Sequence, residues 1–156
     1  MENPMRAMVP IAAFLVFGMT VHPVCASSAD NPPSDQQSID ALEARANQAQ
    51  PREQCFLYAQ LVEQMTELSI RQYKAGDMTK ATGLLQHIQH IAQKIHLSVA
   101  DKDKRLKNAE ILLNRTAFLL NEMLQASSFE DRPLVEQTLA QVTQAQNAAM
   151  MQVFHK

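Results

Sequence analysis

The fold is decided by residues 52–97, which read REQCFLYAQLVEQMTELSIRQYKAGDMTKATGLLQHIQHIAQKIHL. In the two long arms of this stretch, apolar residues recur every three or four positions, on either side of a short junction at residues 75–77. That spacing places the apolar side chains on one face of an α-helix. At the junction, Gly76 suits the left-handed conformation that ends a helix, and Asp77 suits the cap of the next helix. So short a junction predicts an antiparallel helix pair.

Helical spacing continues through the rest of the chain. The composition is rich in Ala, Leu, Gln, Glu and Met and lacks runs of β-branched residues, as is typical of helices. Ser127 and Glu130 match a capping box ahead of the last segment. The pattern predicts a short helix over residues 36–49 and long helices over 52–74, 78–97, from 101–103 to 126, and 132–153.

Four long amphipathic helices joined by short turns predict an all-α fold. We expect an up-down-up-down antiparallel four-helix bundle, with the short N-terminal helix lying across one side or end of it. The domain organisation expected is a signal peptide over residues 1–26, a disordered linker over 27–35 and a single helical domain over 36–156.

Residues 1–26 have the layout of a cleavable secretory signal. Arg6 lies in a short polar start, residues 8–21 form a largely apolar run, and small residues occupy positions 24–26. The run is shorter than the roughly 20 apolar residues that a membrane-spanning helix needs. We expect export to the periplasm or the extracellular space, with a mature chain that begins at Ser27 and has no membrane span.

Cysteine content and charge narrow the classes of protein further. Cys25 lies at the end of the signal, where lipidation is the alternative to simple cleavage, and Cys55 is then the mature chain's one cysteine. One cysteine cannot form a disulfide framework, so the fold depends on its apolar core. The formal net charge of −2 gives no electrostatic reason to expect a nucleic-acid partner.

The residues that could carry chemistry do not form a catalytic group. His87 and His90 are three positions apart, as metal-ligating pairs can be, but both point away from the apolar face. Cys55 lies within the apolar arc of its helix, which predicts a buried thiol rather than a nucleophile. Glu63 and Glu67 are expected to face solvent. The sequence therefore predicts no catalytic residue, no cofactor and no metal, and the protein is not expected to be an enzyme.

The segment IRQYKAGDMTKA, residues 70–81, resembles the helix-turn-helix junction of a tetratricopeptide repeat. The residues that carry the resemblance are Tyr73, Gly76 and Ala81, which in that family let two helices pack closely. The resemblance implies a surface for protein interaction rather than an active site. Any tight helical hairpin favours the same residues, so a simple hairpin is the alternative interpretation.

Two apolar residues stand apart from the predicted core. Ile111 and Phe118 are seven positions apart, so they stack along one line of their helix, opposite its main apolar face. Charged and polar residues border that line, among them Lys107, Arg115 and Glu122. A pair of stacked apolar side chains forms a ridge, which one isolated residue does not.

The ridge of Ile111 and Phe118 admits two interpretations. In the first, the short helix over residues 36–49 covers the ridge with Ile39 and Leu42, because chains usually bury such surface internally. In the second, the ridge is a partner contact and docks a helix of another protein or a second copy of this chain.

The function expected from these features is that of an exported helical module, non-enzymatic, for protein–protein interaction or self-assembly. The alternative is a small-ligand or metal carrier that uses the interior of the bundle, as helical bundles often do. That alternative needs polar residues on inward faces, and the candidates are Cys55, Tyr58, Thr66, Ser69 and Thr116.

Overall fold

A computed structural model describes residues 35–98 and 105–154 of the chain. These residues form five α-helices and no β-strand, so the predicted all-α class is confirmed. The predicted signal peptide, and the linker before residue 35, lie outside the described residues. The helices are α1 (Asp35–Gln48), α2 (Pro51–Lys74), α3 (Met78–Ser98), α4 (Leu106–Ala126) and α5 (Arg132–Phe154).

The junction between α2 and α3 has the backbone that its sequence predicts. Gly76 adopts a φ of 81°, in the left-handed region that glycine enters without steric cost. Asp77 caps α3, because its Oδ1 accepts a hydrogen bond from the backbone N–H of Lys80 at 3.1 Å. Beside the turn, the Ser69 hydroxyl donates to the carbonyl of Ala81 at 3.1 Å, which holds the two helices close together.

The start of α4 differs from the prediction. The helix begins at Leu106, not at residues 101–103, because Arg105 has a left-handed φ of 65° that no α-helix accommodates. The Arg105 guanidinium lies 3.7 Å from the centroid of the Phe56 ring, a cation–π contact with α2. We infer that this tertiary contact favours the turn at a position where local sequence alone suggests helix.

The contacts between α2 and α3 show the relative direction of these two helices. Ser69 of α2 bonds to Ala81 near the turn, while Tyr58, farther back in α2, lies 5.7 Å from the ammonium of Lys94. As the contacting residue in α2 changes from Tyr58 to Ser69, its partner in α3 changes from Lys94 back to Ala81, so α2 and α3 form an antiparallel hairpin. Helices α4 and α5 also pack against each other across a short turn.

The two hairpins pack side by side, with α2 against α4 and α3 against α5. Along α2, Phe56 meets Arg105, Glu67 meets Arg115 and Tyr73 meets Ser128, so these two helices run in the same direction. Within the described residues α3 and α4 do not pack on each other, because they occupy diagonal positions.

The short helix α1 packs along α2 in the opposite direction. Asp35 forms an ion pair with Arg71 at 2.8 Å, and Asn47 accepts a hydrogen bond from the Tyr58 hydroxyl at 2.9 Å. The apolar face of α1 is narrow, and the buried residues of this helix are Ile39 and Ala46.

The core runs through the centre of the four long helices. Its largest fully buried apolar side chains are supplied by α2, α3, α4 and α5 together, namely Leu61, Met65, Ile88, Ile91, Ile95, Leu113, Leu120, Val62, Val135 and Val142. Across the described part of the chain, every helix is too short or too polar to span a bilayer.

Candidate interaction surface

The outer face of α4 carries the two residues that the sequence singled out. Helix α4 packs on α2 and on α5, and its buried residues are Leu106, Ala109, Leu113, Thr116, Leu120, Met123 and Leu124. Ile111 and Phe118 lie on the opposite side and remain 53% and 60% exposed. We call this pair the α4 ridge. Two large apolar side chains are therefore stacked on a face that no described helix covers.

The interpretation in which α1 covers the α4 ridge is wrong. Helix α1 packs on α2 and, among the described helices, makes no packing contact with α4. Ile39 is 2% exposed, and Leu42 packs against the same core. The physical reason is the width of the apolar arc on α2, which offers α1 more surface to bury than a ridge of two residues does.

Arg115 lies between the two ridge residues and turns toward α2. Its Nη1 is 3.2 Å from Oε1 of Glu63, and its Nη2 donates a hydrogen bond to Oε1 of Glu67 at 3.2 Å. Glu63 and Glu67 are one turn apart on α2, so a single guanidinium reaches both carboxylates. Arg115 therefore links α4 to α2, and its charge is matched within the molecule.

Glu63 is the exception to the expected solvent-facing carboxylates. Its side chain is 13% exposed, and its Oε1 is buried and accepts no hydrogen bond within the described residues. Burial raises the pKa of Glu63, Arg115 opposes that rise, and Glu67 adds to it. Glu67, at 39% exposure, agrees better with the expectation. The sequence held no signal for the burial of Glu63, because the groups that enclose it come from tertiary packing.

Exposed charges lie at both ends of the α4 ridge. Lys107 is exposed in the first turn of α4, and Glu122 is exposed near its other end. Within the described residues neither side chain has an ion-pair partner. The ridge is thus an apolar strip that ends in a positive charge on one side and a negative charge on the other.

Tyr73 organises the end of the molecule where both hairpins turn. Its hydroxyl accepts a hydrogen bond from the backbone N–H of Ser128 at 3.0 Å and lies 3.3 Å from Oδ2 of Asp131. The Ser128 hydroxyl donates to that carboxylate at 2.6 Å and accepts from the Asp131 N–H at 3.2 Å. Ser128 and Asp131 therefore form the hydrogen-bonded pair ahead of α5, one residue later than the predicted Ser127 and Glu130, and Tyr73 binds the Ser128 backbone.

The histidines of α3 have different surroundings. His87 is half-buried, and its Nε2 lies 3.1 Å from Oε1 of Glu43 on α1, a contact that the sequence pattern did not indicate. His90 and His96 are exposed. In the part of the chain that the structure describes, His, Cys, Asp and Glu side chains do not gather in groups of three that could hold a metal ion.

The polar groups of the interior are used by the fold itself. Thr66, Thr116 and Thr138 are buried, and each hydroxyl donates to the carbonyl one turn earlier in its own helix at 2.8 Å. Thr138 also accepts a hydrogen bond from Gln89 at 2.9 Å, which joins α3 to α5. Cys55 is 1% exposed, so its predicted burial is confirmed.

An apolar groove adjoins the ridge on the α2 side of α4. It has a volume of about 450 Å³ and is lined on α4 by Leu119, Glu122 and Met123, and on α2 by Ile70 and Tyr73. Glu122 belongs to both the groove and the end of the ridge, so the two features form one continuous outer surface of α4.

A second groove lies between α1, α2 and α3. It has a volume of about 550 Å³ and is lined by Leu68, Gln72, Leu84 and His87, among others. One of its polar side chains, His87, is the histidine whose Nε2 lies 3.1 Å from Oε1 of Glu43.

Comparisons with known proteins find no relative of this chain. No protein-family model, no curated protein and no solved structure matches this chain.

Proposed function

We propose that this protein is an exported helical module that acts by protein–protein interaction or self-association through the α4 ridge. The observation that carries the proposal is the exposure of Ile111 and Phe118, in line, on the face of α4 that no described helix covers. A single exposed apolar residue is ordinary, but a stacked pair that includes an aromatic ring is typical of an interface anchor.

Export is part of the proposal, and it rests on the first 26 residues. A short polar start with Arg6, an apolar run over residues 8–21 and small residues at 24–26 support a cleaved secretory signal. A mature N-terminus at Ser27, measured by mass spectrometry of the released protein, is the expected result. A lipid-modified Cys25 would support the lipoprotein alternative.

The architecture proposed for the mature chain is an alternating one, in which the four long helices run up, down, up and down as two adjacent hairpins. The antiparallel contacts of α2 with α3 and the shared direction of α2 and α4 support it. The resemblance of residues 70–81 to a tetratricopeptide-repeat junction stays a prediction.

A catalytic role is not proposed. Cys55 is buried in the core, and Glu63 forms an ion pair with Arg115. An interior carrier role has less support than an interface, because the buried threonine hydroxyls already donate to backbone carbonyls.

The test of the proposed function is cross-linking of the protein in the cells that export it. The variant Ile111→Gln/Phe118→Gln removes the ridge and keeps good helix-forming residues. A matched control, Leu97→Gln/Phe129→Gln, removes exposed apolar surface elsewhere, since these residues are 78% and 90% exposed.

We expect the wild type and the control variant to form one discrete cross-linked species and the ridge variant to lose it. The melting temperatures of all three proteins, measured at dilute concentration, should agree, because none of the four residues is buried. A ridge variant that still forms the cross-linked species would contradict the proposal, and so would a wild type that forms none.

A further inference from the structure

We propose that the occupant of the α4 ridge is a second copy of this chain, packed antiparallel across a two-fold axis. The two-fold axis crosses α4 between Asn114 and Arg115, midway between Ile111 and Phe118. This inference rests on the proposed function and adds the identity of the partner, its direction and its register.

The spacing of the ridge residues fixes the register. When two antiparallel α4 helices place Ile111 of one copy opposite Phe118 of the other, the symmetry creates the same contact twice. In that register Lys107 of one copy is level with Glu122 of the other, again twice. Both charged residues project within about 30° of the ridge line, at roughly 100° per residue, so they border the same contact.

The alternative directions are less favourable. A parallel pair in the same register would place Lys107 beside Lys107 and Glu122 beside Glu122, and like charges at such positions destabilise a helix pair. A shifted antiparallel pair would keep one apolar contact at the axis and lose the two ion pairs.

The placement of these charges is unfavourable for an isolated α4. Lys107 lies in the first turn, where the helix dipole favours an acidic residue, and Glu122 lies near the end, where it favours a basic one. Neither forms an ion pair with a described residue, although Lys74 lines the same groove as Glu122. An antiparallel second copy supplies the opposite charge to both.

Arg115 fits the same arrangement. The two-fold axis would bring Arg115 of both copies close together, and two unmatched guanidinium groups would repel each other there. Each is instead turned toward α2 and paired with Glu63 and Glu67 of its own chain. The intramolecular pairing removes the repulsion that the symmetry would create.

The exposed area sets the expected strength. Applied to side-chain areas of roughly 150–200 Å², the exposed fractions of Ile111 and Phe118 give about 200 Å² of apolar surface per copy. A stable interface buries about 800 Å² per partner, so neighbouring residues of α4 must add to the contact. The geometry points to a reversible dimer, micromolar or weaker.

The test is a charge-reversal cycle followed by sedimentation velocity over a range of concentrations. The 156-residue chain is expressed with its N-terminal segment included, and the protein is purified in whichever form, processed or unprocessed, the cells accumulate. The variants are Lys107→Glu, Glu122→Lys and the combination of the two.

We expect a wild-type dimer whose dissociation constant rises about tenfold in each single variant, because two symmetric attractions become two repulsions. The combined variant restores opposite charges and should return to within about threefold of wild type. At a protein concentration low enough to keep every protein monomeric, the single variants should unfold at the same or a higher temperature than wild type, because each new charge agrees with the helix dipole. Loss of association therefore cannot be attributed to a damaged fold.

The outcomes separate this inference from the proposed function. One outcome is a dimer that is lost in Ile111→Gln/Phe118→Gln but whose dissociation constant does not change in Lys107→Glu or Glu122→Lys. It would overturn the proposed register and leave the ridge as an interface. A wild-type monomer at all concentrations would overturn self-pairing, while a ridge-dependent cross-link to another protein would preserve the proposed function. A dimer that persists in Ile111→Gln/Phe118→Gln would overturn both this inference and the proposed function.

Discussion

The most direct test of the fold compares two neighbours on α4, Leu113 and Ile111. Leu113 is fully buried, at 0% exposure, whereas Ile111 is 53% exposed. Leu113→Ala removes buried carbons worth about 0.8 kcal/mol each and leaves a cavity, so we expect a loss of about 2–5 kcal/mol in the free energy of unfolding. Ile111→Ala acts on a side chain that is already half in water, and its expected cost is about 1 kcal/mol or less.

Denaturant unfolding followed by far-ultraviolet circular dichroism measures both changes at dilute protein concentration. Dilution keeps self-association from contributing to the result. Equal losses for the two variants, or a loss below about 1 kcal/mol for Leu113→Ala, would refute the placement of the α4 stripe in the core.

Three further predictions concern single side chains. Since burial raises the pKa of Glu63 above its ordinary value of 4.5, the folded state holds that proton more tightly than the unfolded chain. Wild-type stability should therefore fall relative to Glu63→Gln as pH rises from 4.5 through the raised pKa, and parallel pH profiles would contradict this. Tyr73→Phe removes the acceptor for the Ser128 N–H and should cost about 1 kcal/mol on denaturant unfolding, whereas no change would show that the turn holds without it. The Cys55 thiol should react with a labelling reagent only as fast as the protein unfolds, so rapid native-state labelling would show that it is accessible.

Local features of this fold could be predicted from the sequence because they depend on neighbouring residues. The bounds of α2 and α5 agree with the apolar spacing to within a residue. The left-handed Gly76 and the Asp77 cap follow from the conformations that these residues favour. The position of Ile111 and Phe118 opposite the main apolar face also follows from the spacing, but the spacing left open whether the N-terminal helix covers them.

Features that depend on a distant partner could not be predicted in this way. Glu63 looks like a surface carboxylate until α4 brings Arg115 beside it. The hydrogen-bonded pair ahead of α5 is Ser128 and Asp131, and the Ser128 backbone binds Tyr73, which is far away in the chain. The position of α1 depends on the width of the apolar arc on α2, and periodicity alone does not rank competing surfaces.

The central claim is that Phe118 contacts another molecule, and photo-cross-linking from that position tests it most directly. A benzoyl-phenylalanine in place of Phe118 is activated by light, and the adduct is mapped by peptide mass spectrometry. We expect an intermolecular adduct to α4 of a second copy, close to Ile111. An adduct confined to α1 of the same chain, or no adduct at all, would contradict it.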